Sequence, residues 1–135
     1  MNPEQIAKTS EHSHQAAFFC WINQHLKDYP QLRFAHAIPN GGLRSKVQAA
    51  RLKAEGVRPG VPDVFVPYPI HLGTENARAG LYIEFKKPGI ENRKGGGLSK
   101  IQIEWCDYLQ SMKYEHKVVY SYLQAIDGVV EYLAQ

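Results

Sequence analysis

The sequence predicts an α/β layer structure, with elements in the order α-β-α-β-β-α-β-α. Three observations predict it. Apolar residues switch repeatedly between helical three- and four-residue spacing and short strand-like runs. The chain has 135 residues, about the size of one ordinary domain, so interleaved helices and strands must share one layered core. Its composition, 44% hydrophobic and 21% charged, is that of a globular chain that folds without covalent staples.

The first helix is expected over residues 9–29. Phe18, Trp21, Ile22, His25, Leu26 and Tyr29 recur at helical spacing, Thr9 or Ser10 caps the start, and Pro30 blocks continuation. Residues 1–8 are expected to form a flexible N-terminal segment. Arg33–Ile38 alternates as a strand, and Asn40-Gly41-Gly42 is a turn. Leu43–Glu55 is a short helix stopped by Gly56. Asp63–Val66 is a strand closed by Pro67 and Pro69, and residues 68–80 form a long loop. Leu81–Lys86 is the next strand, ended by Pro88. Gly89–Leu98 is a second loop, flexible at Gly95-Gly96-Gly97, with no phosphate-loop spacing. Ser99–Met112 is a helix buried through Ile101, Trp105, Tyr108 and Leu109. Lys117–Tyr122 is a strand and Gln124–Leu133 the last helix. Residues 1–135 leave no room for a second domain.

The composition excludes several classes. Cys20 and Cys106 are the only cysteines and form no CxxC, which argues against a disulfide framework or a cysteine zinc site. No apolar run has the length of a membrane span, and the N-terminus lacks the basic start and apolar stretch of a signal peptide. A cytoplasmic location is expected. No nucleophile–base pair or organic-cofactor motif stands out.

The formal charge of +3 says little as a total, but its distribution is uneven. Residues 31–62 hold six basic residues against Glu55, residues 81–100 hold five against Glu84 and Glu91, and residues 101–135 hold two against five acids. Such blocks make a polyanion-binding face on a nearly neutral molecule, or ordinary solvated faces.

Chemistry concentrates at two strands. In Leu81–Lys86 the alternation puts Leu81, Ile83 and Phe85 on one face and Tyr82, Glu84 and Lys86 on the other. An isolated Glu-x-Lys in a strand reads as a simple salt bridge. Upstream, however, Asp63 opens the neighbouring strand and is expected beside Glu84. Two adjacent carboxylates repel unless a proton or metal sits between them. Oxygen ligands without convergent His or Cys suit Mg²⁺ or Mn²⁺, and Lys86 can orient a water or steady charge on a phosphate oxygen. That constellation suits metal-assisted phosphodiester hydrolysis. The basic segments would hold the polyanion, with Arg44, Lys46 and Lys100 as candidate phosphate contacts.

Pro62-Asp63 followed by Glu84-Phe85-Lys86 resembles the PD-(D/E)XK nuclease signature. With Asn40, Gly60-Val61-Pro62-Asp63, Ile83-Glu84-Phe85-Lys86 and Leu98–Trp105 in this order, the chain resembles the virus-type replication-repair nuclease (VRR-NUC) domain from about Glu11 to its end, in a stand-alone form of phage or prophage type. The resemblance implies a restriction-endonuclease-like α/β core, a central mixed sheet flanked by helices, and metal-dependent cleavage of DNA. It implies Asp63 and Glu84 as metal ligands with the Phe85 carbonyl, and Lys86 acting on the attacking water. Glu11 matches an acidic residue that approaches the metal directly or through water, although the N-terminal helix dipole also favours an acid there. Gln102 matches a glutamine near the active site, although Ser99-Lys100-Ile101-Gln102 is equally a capping box. Asn40 is a further DNA-contact candidate or a turn residue. Stand-alone members are suited to branched DNA such as four-way (Holliday) junctions, a DNA-repair role, as homodimers. The rivals are a non-catalytic nucleic-acid-binding module on the same fold and a sequence-reading restriction-type endonuclease. Of the histidines, His12 and His14 point different ways on a helix, and His36 is either buried or near the site.

Overall fold

The computed structural model describes residues 10–39 and 45–135. The segment 1–8, Thr9, the turn at 40–42, Asn40 and Arg44 lie outside the described residues. Helix α1 spans Glu11–Gln24, β1 His36–Ala37, α2 Lys46–Ala54, β2 Val64–Val66, β3 Leu81–Phe85, α3 Lys100–Ser111, β4 Glu115–Val119 and α4 Tyr122–Ala134. The order of helices and strands is the expected one. The strands form a single mixed sheet, β1-β2-β3-β4, antiparallel across the first two pairs and parallel between β3 and β4. A parallel pair needs a long crossover, and α3 supplies it.

Helices α1 and α4 pack on each other and on β3. Between them and the sheet lies the core: Phe18 and Ile22 from α1, Val64, Val66, Leu81, Ile83, Phe85 and Val119 from the strands, and Ala125, Val129 and Tyr132 from α4. Thus Leu81, Ile83 and Phe85 share one buried face, as the period of two requires. The opposite face carries aromatic contacts, with Phe65 stacked on Tyr82 at 4.4 Å and Tyr114 edge-on to Tyr82. Glu84 shares that face.

Several boundaries differ from expectation, each for a local reason. The first helix stops at Gln24, where the His25 Nδ1–H donates to the Trp21 carbonyl at 2.7 Å and the ring stacks on Trp21. Tyr29 also reaches Trp21, so a turn makes the aromatic contacts that the periodicity encodes. Arg33 and Phe34 are not in a strand. Pro30 starts a 3₁₀ helix over Pro30–Phe34, because its fixed φ suits a first helical position. The fourth strand begins earlier, at Glu115, and ends at Val119, because Ser121 accepts from the Gln124 N–H and caps α4.

Helix α2 begins after Ser45, which with Gln48 forms a capping box, and Gly56 (φ +97°) ends it. No α2 residue is buried. Helix α3 is the largest departure. Of its expected core residues only Leu109 is buried; Ile101 and Tyr108 are 39% and 57% exposed and Trp105 is half-buried. Among the described residues, no helix is long and apolar enough to cross a membrane.

Candidate functional site

The antiparallel register pairs Val64 with Ile83, so the residues one step outward, Asp63 and Glu84, sit side by side at one end of β2 and β3. Both are buried, at 7% and 4% exposure. Asp63 is anchored by the Phe85 backbone N–H, which donates to its Oδ2 at 2.7 Å. Glu84 is anchored from α3: the Gln102 Nε2–H donates to Glu84 Oε1 at 2.7 Å. The other Glu84 oxygen, Oε2, is buried with no hydrogen-bond partner among the described residues.

The electrostatics follow from this geometry. Burial pushes the Asp63 carboxyl up from 3.8 to about 6, against the Phe85 N–H, which holds it down. The Glu84 carboxyl is pushed from 4.5 to about 8, first by burial and then by the Asp63 charge. The positive charge of Lys86 opposes both shifts, and the negative charge of Glu11 reinforces both. Both shifts favour the protonated form, so the metal-free pair resists carrying two negative charges at once.

Glu11 and Lys86 thus act on the pair from α1 and from just beyond β3. Glu11 is exposed and lies in the first turn of α1. Among the described residues, no group of three or more His, Cys, Asp or Glu is close enough to hold a metal, so Glu11 is felt as a charge beside a two-carboxylate site. The donor set of the pair fits a hard divalent cation: two carboxylates, one with an orphaned buried oxygen, and, among the described residues, no His or Cys completing a three-ligand cluster with them.

Gln102 makes contacts on both sides. Its Oε1 accepts from the Ser99 N–H at 2.9 Å while its Nε2 donates to Glu84. The capping box fixes which end of the amide faces the carboxylate. Helix α3 also braces the approach to Asp63. The Trp105 indole N–H donates to the Pro59 carbonyl at 3.1 Å. Gly60, at φ +86°, lies so close that a Cβ there would stand 2.8 Å from Ile101 Cγ1 and 2.9 Å from Trp105 Cδ1.

Lys46 and Lys100 are exposed on the first turns of α2 and α3. Lys100 is two residues from Gln102; nothing packs Lys46 against the carboxylates. His12, set aside on helical geometry, lies within electrostatic reach of Asp63. Its one sequence signal was adjacency to Glu11. His14 points elsewhere: it is buried, and its Nδ1 accepts from the Tyr122 N–H at 2.9 Å. His36 is exposed, its Nδ1 bonded to the Phe34 carbonyl at 2.9 Å. Trp105 is a brace for the Pro59-Gly60 segment, a role no sequence period announces.

The family model for the VRR-NUC domain matches residues 2–122. A solved structure described as a VRR_NUC domain protein is 23% identical, covers 93% of this chain and 89% of its own, and superimposes with a TM-score of 0.67. No curated protein matches the chain.

Proposed function

The chain belongs to the VRR-NUC domain family, a nuclease family, and from that premise we propose that it is a divalent-metal-dependent DNA endonuclease centred on Asp63, Glu84 and Lys86. The observation that carries the proposal is the buried Asp63–Glu84 pair with its orphaned Oε2. Burying two carboxylates together is costly, and a binding-only module would hold them against a polyanion for no return.

In this reading Asp63, Glu84 and the Phe85 carbonyl hold Mg²⁺ or Mn²⁺, with Glu11 contributing through water. Such a cation supplies a lowered pKa to water and charge neutralisation to a phosphodiester oxygen. Gln102 holds Glu84 by one oxygen and leaves the other to the cation. Lys86 orients the attacking water and steadies negative charge on the phosphate. Asn40, Arg44, Lys46 and Lys100 contact the DNA backbone.

The preferred substrate is branched DNA such as a four-way junction, and the working form is a homodimer that presents two centres to a two-fold substrate. Support for both is the resemblance to stand-alone members of the family. The experiment compares wild type with Asp63→Ala on linear duplex, flap and four-way-junction DNA, with Mg²⁺, Mn²⁺ or EDTA. Metal-dependent cutting of the junction by wild type alone is expected. Equal cutting by the variant removes the assignment of Asp63. Binding without cutting under every metal favours the non-catalytic module, and cutting at one fixed sequence in linear duplex favours the restriction reading. Sedimentation of the purified protein at two concentrations tests the dimer.

A further inference from the structure

The segment joining β3 to α3 is strongly basic. Over residues 86–100, Lys86, Lys87, Arg93, Lys94 and Lys100 stand against Glu91 alone. Lys87, Arg93, Lys94 and Lys100 are exposed. Among the described residues, the ion pairs are made by Lys117, so none of these cations forms an ion pair with a described acid.

A solvated basic loop needs no fixed shape, yet this one is fixed at both feet. At its start the Lys86 N–H donates to the Val119 carbonyl at 2.8 Å. At its end the hydroxyl of the next residue, Tyr120, donates to the Gly96 carbonyl at 2.6 Å. The loop therefore leaves and returns to consecutive residues at the end of β4. Tyr120 is itself held, its N–H donating to Gln124 Oε1 at 2.8 Å.

Between the feet the backbone takes a conformation that side chains oppose. Gly95, Gly96 and Gly97 have φ of 64°, 66° and 83°, three successive left-handed residues. A Cβ at Gly96 would lie 2.5 Å from the Tyr120 hydroxyl oxygen, and one at Gly97 2.6 Å from Ile90 Cδ1. The Gly96 N–H closes the turn on the Arg93 carbonyl at 2.8 Å. Glycines give up the most chain entropy on ordering, and unusual backbone held in place by its surroundings marks segments whose shape is used.

We propose that the 86–98 loop is a preformed clamp for the DNA phosphodiester backbone, in which Arg93 and Lys94 contact phosphates and Tyr120 holds them in register with Lys86. The proposal rests on the nuclease reading above. It names contacts on a segment other than α2, and it gives Tyr120 a positioning role.

The test measures affinity for fluorescent duplex and junction DNA in EDTA, where no cutting occurs, across a range of KCl concentrations. Each phosphate contact contributes about 0.9 to the slope of log affinity against log salt. The Arg93→Ala/Lys94→Ala protein should lose about 1.8 from the wild-type slope. A comparison variant, Lys27→Ala, removes a charge just past the end of α1 farthest from Glu11 and should lose nothing. Tyr120→Phe keeps every charge and should bind about 2- to 10-fold more weakly, the range set by one lost hydrogen bond. An unchanged slope in the double variant overturns the clamp, as does an equal loss in Lys27→Ala. Unchanged affinity in Tyr120→Phe overturns the positioning role. If wild type itself shows no salt-dependent DNA binding, the nuclease reading fails and the clamp with it.

Discussion

Replacing Glu84 with glutamine should reverse the sign of its effect on stability between acid and alkaline pH. Both site carboxyls have folded-state pKa values above their ordinary ones, 3.8 to about 6 for Asp63 and 4.5 to about 8 for Glu84. For a group shifted this way, folding stability is full below the unfolded value and is lost as pH rises through the folded one. The window is roughly pH 4 to 6 for Asp63 and roughly pH 4.5 to 8 for Glu84. A tenfold change in proton affinity is worth about 1.4 kcal/mol, so ionising Glu84 in the metal-free fold costs about 5 kcal/mol. That is a large part of the roughly 5–15 kcal/mol that holds a domain of this size together.

Glu84→Gln removes the charge and keeps a carbonyl oxygen for the Gln102 N–H, now 2.7 Å from Glu84 Oε1. Its new amide N–H₂ falls where Oε2 is buried without a partner, which costs about 1–3 kcal/mol. The balance is a variant more stable than wild type by about 2–4 kcal/mol at about pH 9, and less stable by about 1–3 kcal/mol at about pH 4. Urea unfolding followed by tryptophan fluorescence in EDTA, at four pH values across this range, measures the difference directly. A difference that is independent of pH, or most favourable to the variant in acid, refutes the burial argument.

Three further outcomes follow from the same geometry. Gln102→Ala should cost about 1–2 kcal/mol, since it removes half of the capping box and the bond to Glu84; it should also weaken Mg²⁺ binding in calorimetry, and unchanged metal affinity would separate Gln102 from the site. Gly60→Ala should destabilise by about 2–4 kcal/mol through left-handed strain and collision with Ile101 and Trp105, whereas Gly56→Ala, at φ +97° with nothing within 4 Å of a Cβ, should cost about 1–2 kcal/mol; equal losses on thermal unfolding would remove the brace. Binding of Mg²⁺ near pH 7 should release about one proton and tighten by about tenfold per pH unit until roughly pH 8, as read by calorimetry in buffers of different ionisation heat; release of none would mean that the pair is already ionised.

The legible parts of the fold are those set by short-range rules. Period-two alternation put Leu81, Ile83 and Phe85 on one face, and all three are in the core. Capping chemistry put the start of α3 at Ser99 and the end of α2 at Gly56. The Asp63–Glu84 adjacency was legible because a two-strand register leaves little freedom once both strands are placed. What was not legible depends on which surface an element meets. The stripe of Ile101, Trp105 and Tyr108 has a core-like period, yet α3 crosses between two parallel strands and only its Leu109 is buried. The left-handed turn at Gly95–Gly97 likewise needs Tyr120, a residue 24 positions downstream of Gly96, before three glycines mean order instead of slack.

Helix α3 ties these points together. Its first turn presents an amide to Glu84, and Ile101 and Trp105 press on Gly60, whose segment leads to Asp63. One helix thereby bonds one carboxylate directly and packs on the segment that leads to the other. A helix committed on two sides to positioning has little apolar surface left for the sheet. The half-exposed Ile101 fits that commitment: side chains at i and i+4 share a face, and the Ile101–Trp105 face is turned toward Gly60. The same commitment explains why burying the pair is tolerated. The Ser99–Gln102 capping box and the Trp105–Pro59 bond tie α3 to the site, so the amide that satisfies the buried Glu84 Oε1 is held in place by the helix's own cap.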